Sequence, residues 1–175
     1  KTGELNIMEG IPLSLQRPAM AHEIFHAIQD QHFDLEAMLA PFDAQENGDF
    51  SLARSALIEG DATILMIDFS FYERGTLPQG DVTSVVDIPR VRHMLSQLDL
   101  QDMGAVEMLS GGGSGESTGP APELADSALS EAPAIIKRVL IFPYFAGMRF
   151  VSEMRRGRSW KEFDAVYDNP PVSTE

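Results

Sequence analysis

The sequence predicts a mainly α-helical protein of the α+β class, with two long central helices and a small sheet at the N-terminus. Apolar residues recur every three or four positions across residues 18–39 and again across residues 50–72, which is the spacing of one helix face. Residues 5–8 follow a turn-like Lys-Thr-Gly-Glu and have the composition of a short strand. A chain of 175 residues is long enough for one domain with a substantial core, so we expect a single domain over residues 1–175.

Prolines and a capping residue set the predicted bounds of the two long helices. Pro18 suits the first turn of a helix, so the first helix is expected to begin there and to stop before Pro41. Asp49 is expected to be the N-cap of the second helix. The apolar positions predicted for the first helix are Ala21, Ile24, Phe25, Ile28 and Phe33.

The rest of the chain is predicted to be helical in shorter segments. Pro143 is expected to interrupt the chain between two of them, and residues 75–81 form a turn-rich break. Residues 110–122, rich in Gly and Ser, are predicted to be a flexible loop. The shorter predicted helices cover residues 88–100, 131–141, 144–154 and 160–167.

The net charge of −14 limits the classes of partner. An acidic surface repels phosphate backbones, so we expect no nucleic-acid partner. No apolar run approaches the length of about 20 residues that a membrane span needs, so we expect no membrane insertion in this segment. The chain has no cysteine, so any metal must be bound by His, Asp or Glu.

The N-terminal pattern resembles a hairpin turn followed by only its second strand. We therefore expect that residues upstream, and any export signal among them, are missing from this chain. An exported or cell-envelope location would agree with that expectation, but the sequence itself leaves both the compartment and the oligomeric state open.

A His-Glu-x-x-His motif lies within the first predicted helix. His22 and His26 are four residues apart, so both imidazoles lie on one helix face and can reach one ion. Glu23 is about 100° further around the helix and can take a proton from a water molecule that the ion activates. The alternative is a surface helix with a chance motif, but the apolar neighbours of the motif favour a buried segment whose polar groups need partners.

Glu59 is the predicted third ligand. Catalytic zinc sites usually have three protein ligands and one open position, and a lone carboxylate on an apolar helix stripe is costly to bury without a cation. Gly60 follows and would allow close approach to the first helix. The alternative is an ion pair of Glu59 with Arg54 or Arg149. The stripe comprises Leu52, Ala56, Thr63 and Met66.

These two segments resemble the gluzincin metallopeptidases, in which one helix carries His-Glu-x-x-His and a second supplies a glutamate, often followed by Gly-x-Ala. Here the segments are Ala-His-Glu-Ile-Phe-His-Ala at residues 21–27 and Leu-Ile-Glu-Gly-Asp-Ala at residues 57–62. The resemblance implies a zincin-like fold, a Zn²⁺ ion bound by His22, His26 and Glu59, and Glu23 as general base. It also implies a peptide or protein substrate, held by an edge strand that borders the cleft.

A narrower resemblance is to a bacterial set of zincin-like proteins. It rests on residues 26–35, on a Phe-Pro-Tyr-x-x-Gly segment at residues 142–147 and on the Asn-Pro-Pro-x-Ser-Thr-Glu sequence at residues 169–175. One departure concerns the position four residues after the third ligand, where well-known gluzincins often have an acidic residue that orients a ligating histidine. Thr63 stands there, so we expect Asp61 or Asp30 to take that role.

Hydrolysis of an amide also needs a donor for the oxygen that gains negative charge. Tyr144 is the preferred catalytic candidate, because it follows Pro143 in the first turn of a predicted helix and could point into a cleft. A core tyrosine with a satisfied hydroxyl is the alternative. The other candidate donors are Tyr72, His93 and Arg149, while His32 and His93 have no partner at metal-ligand spacing.

Two functions from different classes fit the sequence. The first is zinc-dependent hydrolysis of peptide bonds. The second is a non-catalytic zincin-like scaffold that binds metal or peptide and protein partners. The presence of Glu23 favours the first, because a site that only binds has no need of a base there.

Overall fold

The computed structural model of the chain describes residues 13–40, 48–77, 84–97 and 133–175. Within these ranges the chain is helical and forms no strand, which confirms the mainly α prediction for them. None of the helices there combines the length and apolar character that a membrane span requires. The predicted strand at residues 5–8 and the predicted loop at residues 110–122 lie outside the described residues.

The helices of the described residues are, in chain order, α1 (Leu13–Phe33), α2 (Leu35–Leu39), α3 (Gly48–Glu73), α4 (Pro89–Ser96), α5 (Ala134–Met154), α6 (Trp160–Phe163) and α7 (Ala165–Asp168). The centre of the fold is α3, which packs against α5 on one side and α1 on another. A 3-10 turn, Val85–Asp87, packs on α3 and α4, and α4 also contacts α5.

The first helix differs from its prediction at both ends. It begins at Leu13 and has Pro18 in its interior, where the proline removes one backbone hydrogen bond. It ends before Asp34, which has a positive φ of 49°, a conformation that Asp tolerates better than most residues. The side chain of Asp34 then accepts the N–H of Ala37 and so caps α2.

Two of the predicted core residues of α1 lie on its exposed face. Ile24 is 49% exposed and Ile28 is 44% exposed. Each lies two residues, or about 200°, from a histidine of the motif, so it faces away when the histidines face α3. The prediction that these isoleucines are buried around the motif is therefore wrong, and the buried character of the site comes from the packing of α1 on α3.

The second long helix agrees with its prediction, but its capping residue does not. Asp49 lies inside the first turn of α3 instead of at the N-cap. Its carboxylate accepts hydrogen bonds from the N–H and the hydroxyl of Thr174. Asp49 thus connects the C-terminal tail to the beginning of α3.

Pro143 does not interrupt the chain as predicted, because α5 continues through it as one helix from Ala134 to Met154. The lost backbone hydrogen bond is tolerated in a helix whose buried face packs on α3. The last predicted helix, over residues 160–167, is divided into α6 and α7.

The core lies between α3 and α5 and beneath the short C-terminal helices. These elements, together with the 3-10 turn and α4, contribute buried side chains to it, so α3 is covered over much of its surface. The residues at the centre of this core include Leu57, Ile64, Val85, Leu95, Met148, Val151 and Phe163.

Two glycines set the distance between α3 and α5. A Cβ atom on Gly60 would overlap the backbone of Gly147, and one on Gly147 would overlap the carbonyl oxygen of Ala56. The two helix backbones are therefore in direct contact at this crossing. The sequence prediction that Gly60 faces the first helix is wrong, since its open side faces α5.

Replacement of Gly147 tests this crossing. Gly147→Ala should reduce the free energy of unfolding by about 1–3 kcal/mol or more, because the added methyl group meets backbone that cannot move alone. This loss should appear although Ala is favoured over Gly inside a helix by about 1 kcal/mol. Urea denaturation would measure it.

Gly48→Ala is the matched control, because a Cβ atom at Gly48 would meet nothing within 4 Å. That variant should be at least as stable as the wild type. If Gly147→Ala proved equally stable, the two helices would not be in direct contact.

Candidate metal site

Two helices bring together the three predicted ligands, His22 and His26 from α1 and Glu59 from α3. Nε2 of His22 lies 3.0 Å from Nε2 of His26 and 3.2 Å from Oε2 of Glu59. Nε2 of His26 lies 3.4 Å from the same oxygen. This group could hold a metal ion.

The separations between these donor atoms fit a small cation. Ligand atoms at about 2.0–2.1 Å from a tetrahedral zinc ion are about 3.3–3.4 Å from one another. The observed separations of 3.0, 3.2 and 3.4 Å are close to that value. Only small side-chain shifts would be needed for all three atoms to coordinate one ion.

The carboxylate of Glu59 is held in its ionised form. Burial raises its pKa, but the hydrogen bonds and positive charge of the two histidines outweigh burial and lower the pKa to about 2. At neutral pH Glu59 thus offers a negatively charged carboxylate oxygen, and no proton competes with a metal ion for that oxygen.

Neither arginine considered as an alternative partner explains the position of Glu59. Arg54 donates to the carbonyl oxygen of Met38, and its guanidinium lies 3.8 Å from the centre of the Phe50 ring. Arg149 is exposed on α5. The recorded ion pairs of Glu59 are with the two histidines.

His26 has a second contact, which determines which ring nitrogen carries the proton. Its Nδ1 lies 2.8 Å from Oε1 of Gln29, one helical turn further along α1. An amide oxygen only accepts hydrogen bonds, so Nδ1 carries the proton. In the neutral ring Nε2 then presents its lone pair to the cluster, which is the form that binds a metal.

The pKa of His26 is raised in this environment. Burial lowers it, but the hydrogen bonds to Glu59 and Gln29 and the negative charges of Glu59 and Glu23 together outweigh burial. The same acidic surroundings that stabilise a proton on His26 would also stabilise a bound cation.

Gln29 is itself held by a buried network. Its amide nitrogen has two N–H groups, which three acceptors share: the carbonyl oxygen of Ile58 at 3.2 Å, Oδ2 of Asp61 at 3.2 Å and the hydroxyl oxygen of Tyr167 at 2.7 Å. The hydroxyl of Tyr167 donates in turn to Asp61 at 2.7 Å. Sequence reasoning missed Gln29, although its position three residues after His26 on the same face was a signal for it.

The residues predicted to orient the histidines have other partners. Asp30 accepts the N–H of Leu35, so its carboxylate stabilises the turn between α1 and α2. Asp61 reaches His26 only through Gln29. The hydroxyl of Thr63 donates to the backbone carbonyl of Glu59 in its own helix.

His22 is more deeply buried than His26 but less well partnered. It is 7% exposed, and its Nδ1 has no hydrogen-bond partner among the described residues. The ring packs instead against Tyr144 on α5, with centroids 6.1 Å apart and planes at 22°. The ring is therefore held by its Nε2 contacts within the cluster and by packing on Tyr144, with no hydrogen bond at Nδ1.

Glu23 lies on the exposed side of the cluster and is not one of its ligands. Although burial is the largest influence on the pKa values of His26 and Tyr144, the charge of Glu23 contributes to raising both. Its charge therefore acts on the cluster, although it is not one of the three grouped residues.

Tyr144 lies beside the cluster because α5 crosses α3 one turn further along, at Gly147. Its pKa is raised by burial first, then by the charge of Glu59 and a hydrogen bond to it. The hydroxyl thus stays protonated at neutral pH and can donate. The alternative of a core tyrosine does not match its partly exposed ring.

The other candidate donors are less well placed. Tyr72 is 73% exposed and lies thirteen residues beyond Glu59 on α3, which corresponds to about 20 Å along the helix axis. Arg149 is five residues after Tyr144, or about 140° around α5, and points away from the face that contacts His22. His93 is exposed on α4.

Comparison with known proteins gives no relative from which a role for this site could be transferred. No protein-family model matches the chain, and no characterised protein or solved structure matches it. The interpretation of the site therefore depends on its own geometry and chemistry.

Proposed function

We propose that this chain is a zinc-dependent hydrolase of peptide bonds, with His22, His26 and Glu59 as the metal ligands. The observation that carries the proposal is the convergence of three ligand atoms within 3.0–3.4 Å of one another. The three side chains are buried or half-buried and contact one another, and a bound cation would satisfy all three ligand atoms at once.

Zinc is the proposed ion because of the donor set. Two imidazoles and one carboxylate are a ligand set of catalytic zinc sites and leave a fourth position open. Mg²⁺ and Ca²⁺ prefer oxygen ligands, of which this group offers only the carboxylate. A bound zinc ion lowers the pKa of water to about 7 and polarises a substrate carbonyl group.

Glu23 is the proposed general base. Its exposed carboxylate is close to the cluster but outside the ligand group. It would take a proton from the attacking water as the new carbon–oxygen bond forms, and deliver that proton to the amine that leaves when the carbon–nitrogen bond breaks.

Tyr144 is the proposed donor to the carbonyl oxygen that gains negative charge. Its hydroxyl is protonated at neutral pH and interacts with Glu59, so it lies beside the ligand group. A donor already in position at this oxygen stabilises the transition state more than the substrate.

A peptide bond is proposed as the bond that is hydrolysed because residues 21–27 and 57–62 resemble the gluzincins. The competing function is a metal-binding scaffold without turnover. A carboxylate next to the ligand group, such as that of Glu23, has a use in hydrolysis and none in metal binding alone. The three tests below separate the two functions.

The first test concerns the metal itself. Purified protein reconstituted with zinc should contain one ion per chain, and His26→Ala or Glu59→Gln should weaken binding strongly, because each removes a ligand. Binding to the folded state should raise the melting temperature, with a stabilisation of about 2.7 kcal/mol at a hundredfold excess over the dissociation constant.

The control for this test is His32→Ala, which removes an exposed histidine from the same helix. It should leave zinc content and zinc-dependent stabilisation unchanged. Elemental analysis that finds no zinc in the reconstituted wild type would refute the site.

The second test separates the base from the ligands. Glu23→Gln should retain zinc but reduce turnover of any cleaved peptide by about 10²- to 10⁴-fold, because an amide cannot accept the water's proton. Glu153→Gln, an exposed change on α5, should keep full activity. Wild-type turnover by Glu23→Gln would contradict the mechanism, and zinc binding without turnover of a broad peptide library by the wild type would favour the scaffold.

The third test concerns the hydroxyl of Tyr144. Tyr144→Phe keeps the ring on His22 and should reduce the turnover rate by about 10²- to 10³-fold, with zinc content unchanged. Tyr72→Phe is the matched control on an exposed tyrosine. A loss of about 1 kcal/mol in stability with the rate intact would instead indicate a structural hydroxyl.

A further inference from the structure

Gln29 is one of the most deeply buried polar side chains of the described residues, at 1% exposed. A buried amide needs partners for both its oxygen and its nitrogen, and Gln29 has them on two sides. Its oxygen meets a metal ligand, His26, while its nitrogen meets α3 and the C-terminal helix α7.

The contacts of Gln29 determine which way the amide points. The carbonyl oxygen of Ile58 can only accept a hydrogen bond, so the amide NH₂ must lie on that side. The amide oxygen therefore faces His26, and the proton of that contact must come from Nδ1 of the imidazole. One backbone carbonyl on α3 thus sets the tautomer of a histidine on α1.

We infer that Gln29 is a positioning residue for the metal site, which holds His26 with its proton on Nδ1 and its Nε2 lone pair directed at the ion. The inference rests on the proposed metal-binding function and adds to it the residue that orients one ligand. Metal-binding histidines are commonly oriented by a hydrogen bond from their second nitrogen, and loss of such a partner typically weakens metal binding by about 10- to 100-fold.

Asp61 and Tyr167 keep the amide in place. Oδ2 of Asp61 accepts from both Gln29 and Tyr167, so the three groups form a closed triangle of hydrogen bonds. The ring of Tyr167 is also stacked on Phe33 of α1, with centroids 3.9 Å apart and planes at 9°. Rotation of the amide would turn its oxygen toward the carbonyl oxygen of Ile58 and the carboxylate of Asp61, two groups that only accept, and is therefore disfavoured.

His22 provides an internal contrast. Its Nδ1 has no hydrogen-bond partner in the part of the chain that the structure describes. Its Nε2 lies 3.2 Å from the carboxylate of Glu59, which can only accept, so in the metal-free protein its proton is on the nitrogen that would bind the ion. Of the two histidines, His26 is therefore the one whose ligand nitrogen is prepared before any ion arrives.

The test compares Gln29→Met with Gln29→Glu and with Gln31→Met, a control on an exposed glutamine two residues further along α1. Met has about the volume of Gln but no acceptor, whereas Glu keeps an acceptor for Nδ1 of His26. Three quantities are measured: the zinc dissociation constant by chelator competition, the absorption spectrum of the Co²⁺-substituted protein, and the tautomer of His26 by ¹⁵N NMR in the metal-free protein.

The expected results are specific to positioning. Gln29→Met should bind zinc about 10- to 100-fold more weakly, change the Co²⁺ spectrum and lose the Nδ1–H tautomer of His26. Gln29→Glu should recover part of the affinity, and Gln31→Met should match the wild type. Wild-type affinity and tautomer in Gln29→Met would overturn the inference.

Two further outcomes are decisive. If Gln29→Met does not fold, the tautomer of His26 in the metal-free wild type and in Tyr167→Phe decides. An Nε2–H tautomer in the wild type would overturn the inference by itself. If the wild type binds no metal, the proposed function fails, while the NMR measurement still tests whether Gln29 sets the tautomer.

Discussion

The direct contact of two helix backbones, α3 and α5, fixes much of this molecule. Gly60 and Gly147 meet with no side chain between them, and buried apolar residues on both helices hold the crossing together. Glu59 precedes one glycine and Tyr144 lies one turn before the other. The crossing therefore determines how a proposed ligand carboxylate and a proposed donor hydroxyl approach each other. The geometry of the site follows from main-chain packing more than from contacts that the site residues make among themselves.

The sequence was a good guide wherever the relevant constraint is local. Helical periodicity relates His22 to His26 without reference to the rest of the fold, and a lone carboxylate on an apolar stripe identified Glu59. The sequence was a poor guide where a partner element decides. Pro143 has the local chemistry of a helix break, yet α5 continues through it because packing on α3 outweighs one lost hydrogen bond. Ile24 has the apolar side chain of a core residue, but which face of α1 is buried depends on where α3 lies.

The same distinction explains which parts of the site were missed. The role of Gln29 depends on a carbonyl oxygen of α3 and on a hydroxyl from the C-terminal helix, and no local pattern joins these groups. The expected second carboxylate, Asp61, is present, but it does not contact a histidine directly: the side chain of Gln29 lies between Asp61 and His26. The two histidines of one motif consequently differ at Nδ1: that of His26 donates to a buried hydrogen-bond network, while that of His22 has no partner among the described residues and its ring packs on an aromatic side chain.

The contact between Gln29 and Tyr167 spans 138 residues of chain. Because synthesis delivers the N-terminal residues first, at about 5–20 residues per second, roughly 7 to 30 seconds separate the emergence of the two side chains. During that interval the nascent protein already carries both histidines and, soon afterwards, the glutamate, but lacks the group that completes the support of His26. The proposed support of His26 is thereby complete only once Tyr167 has been made and has packed against α1.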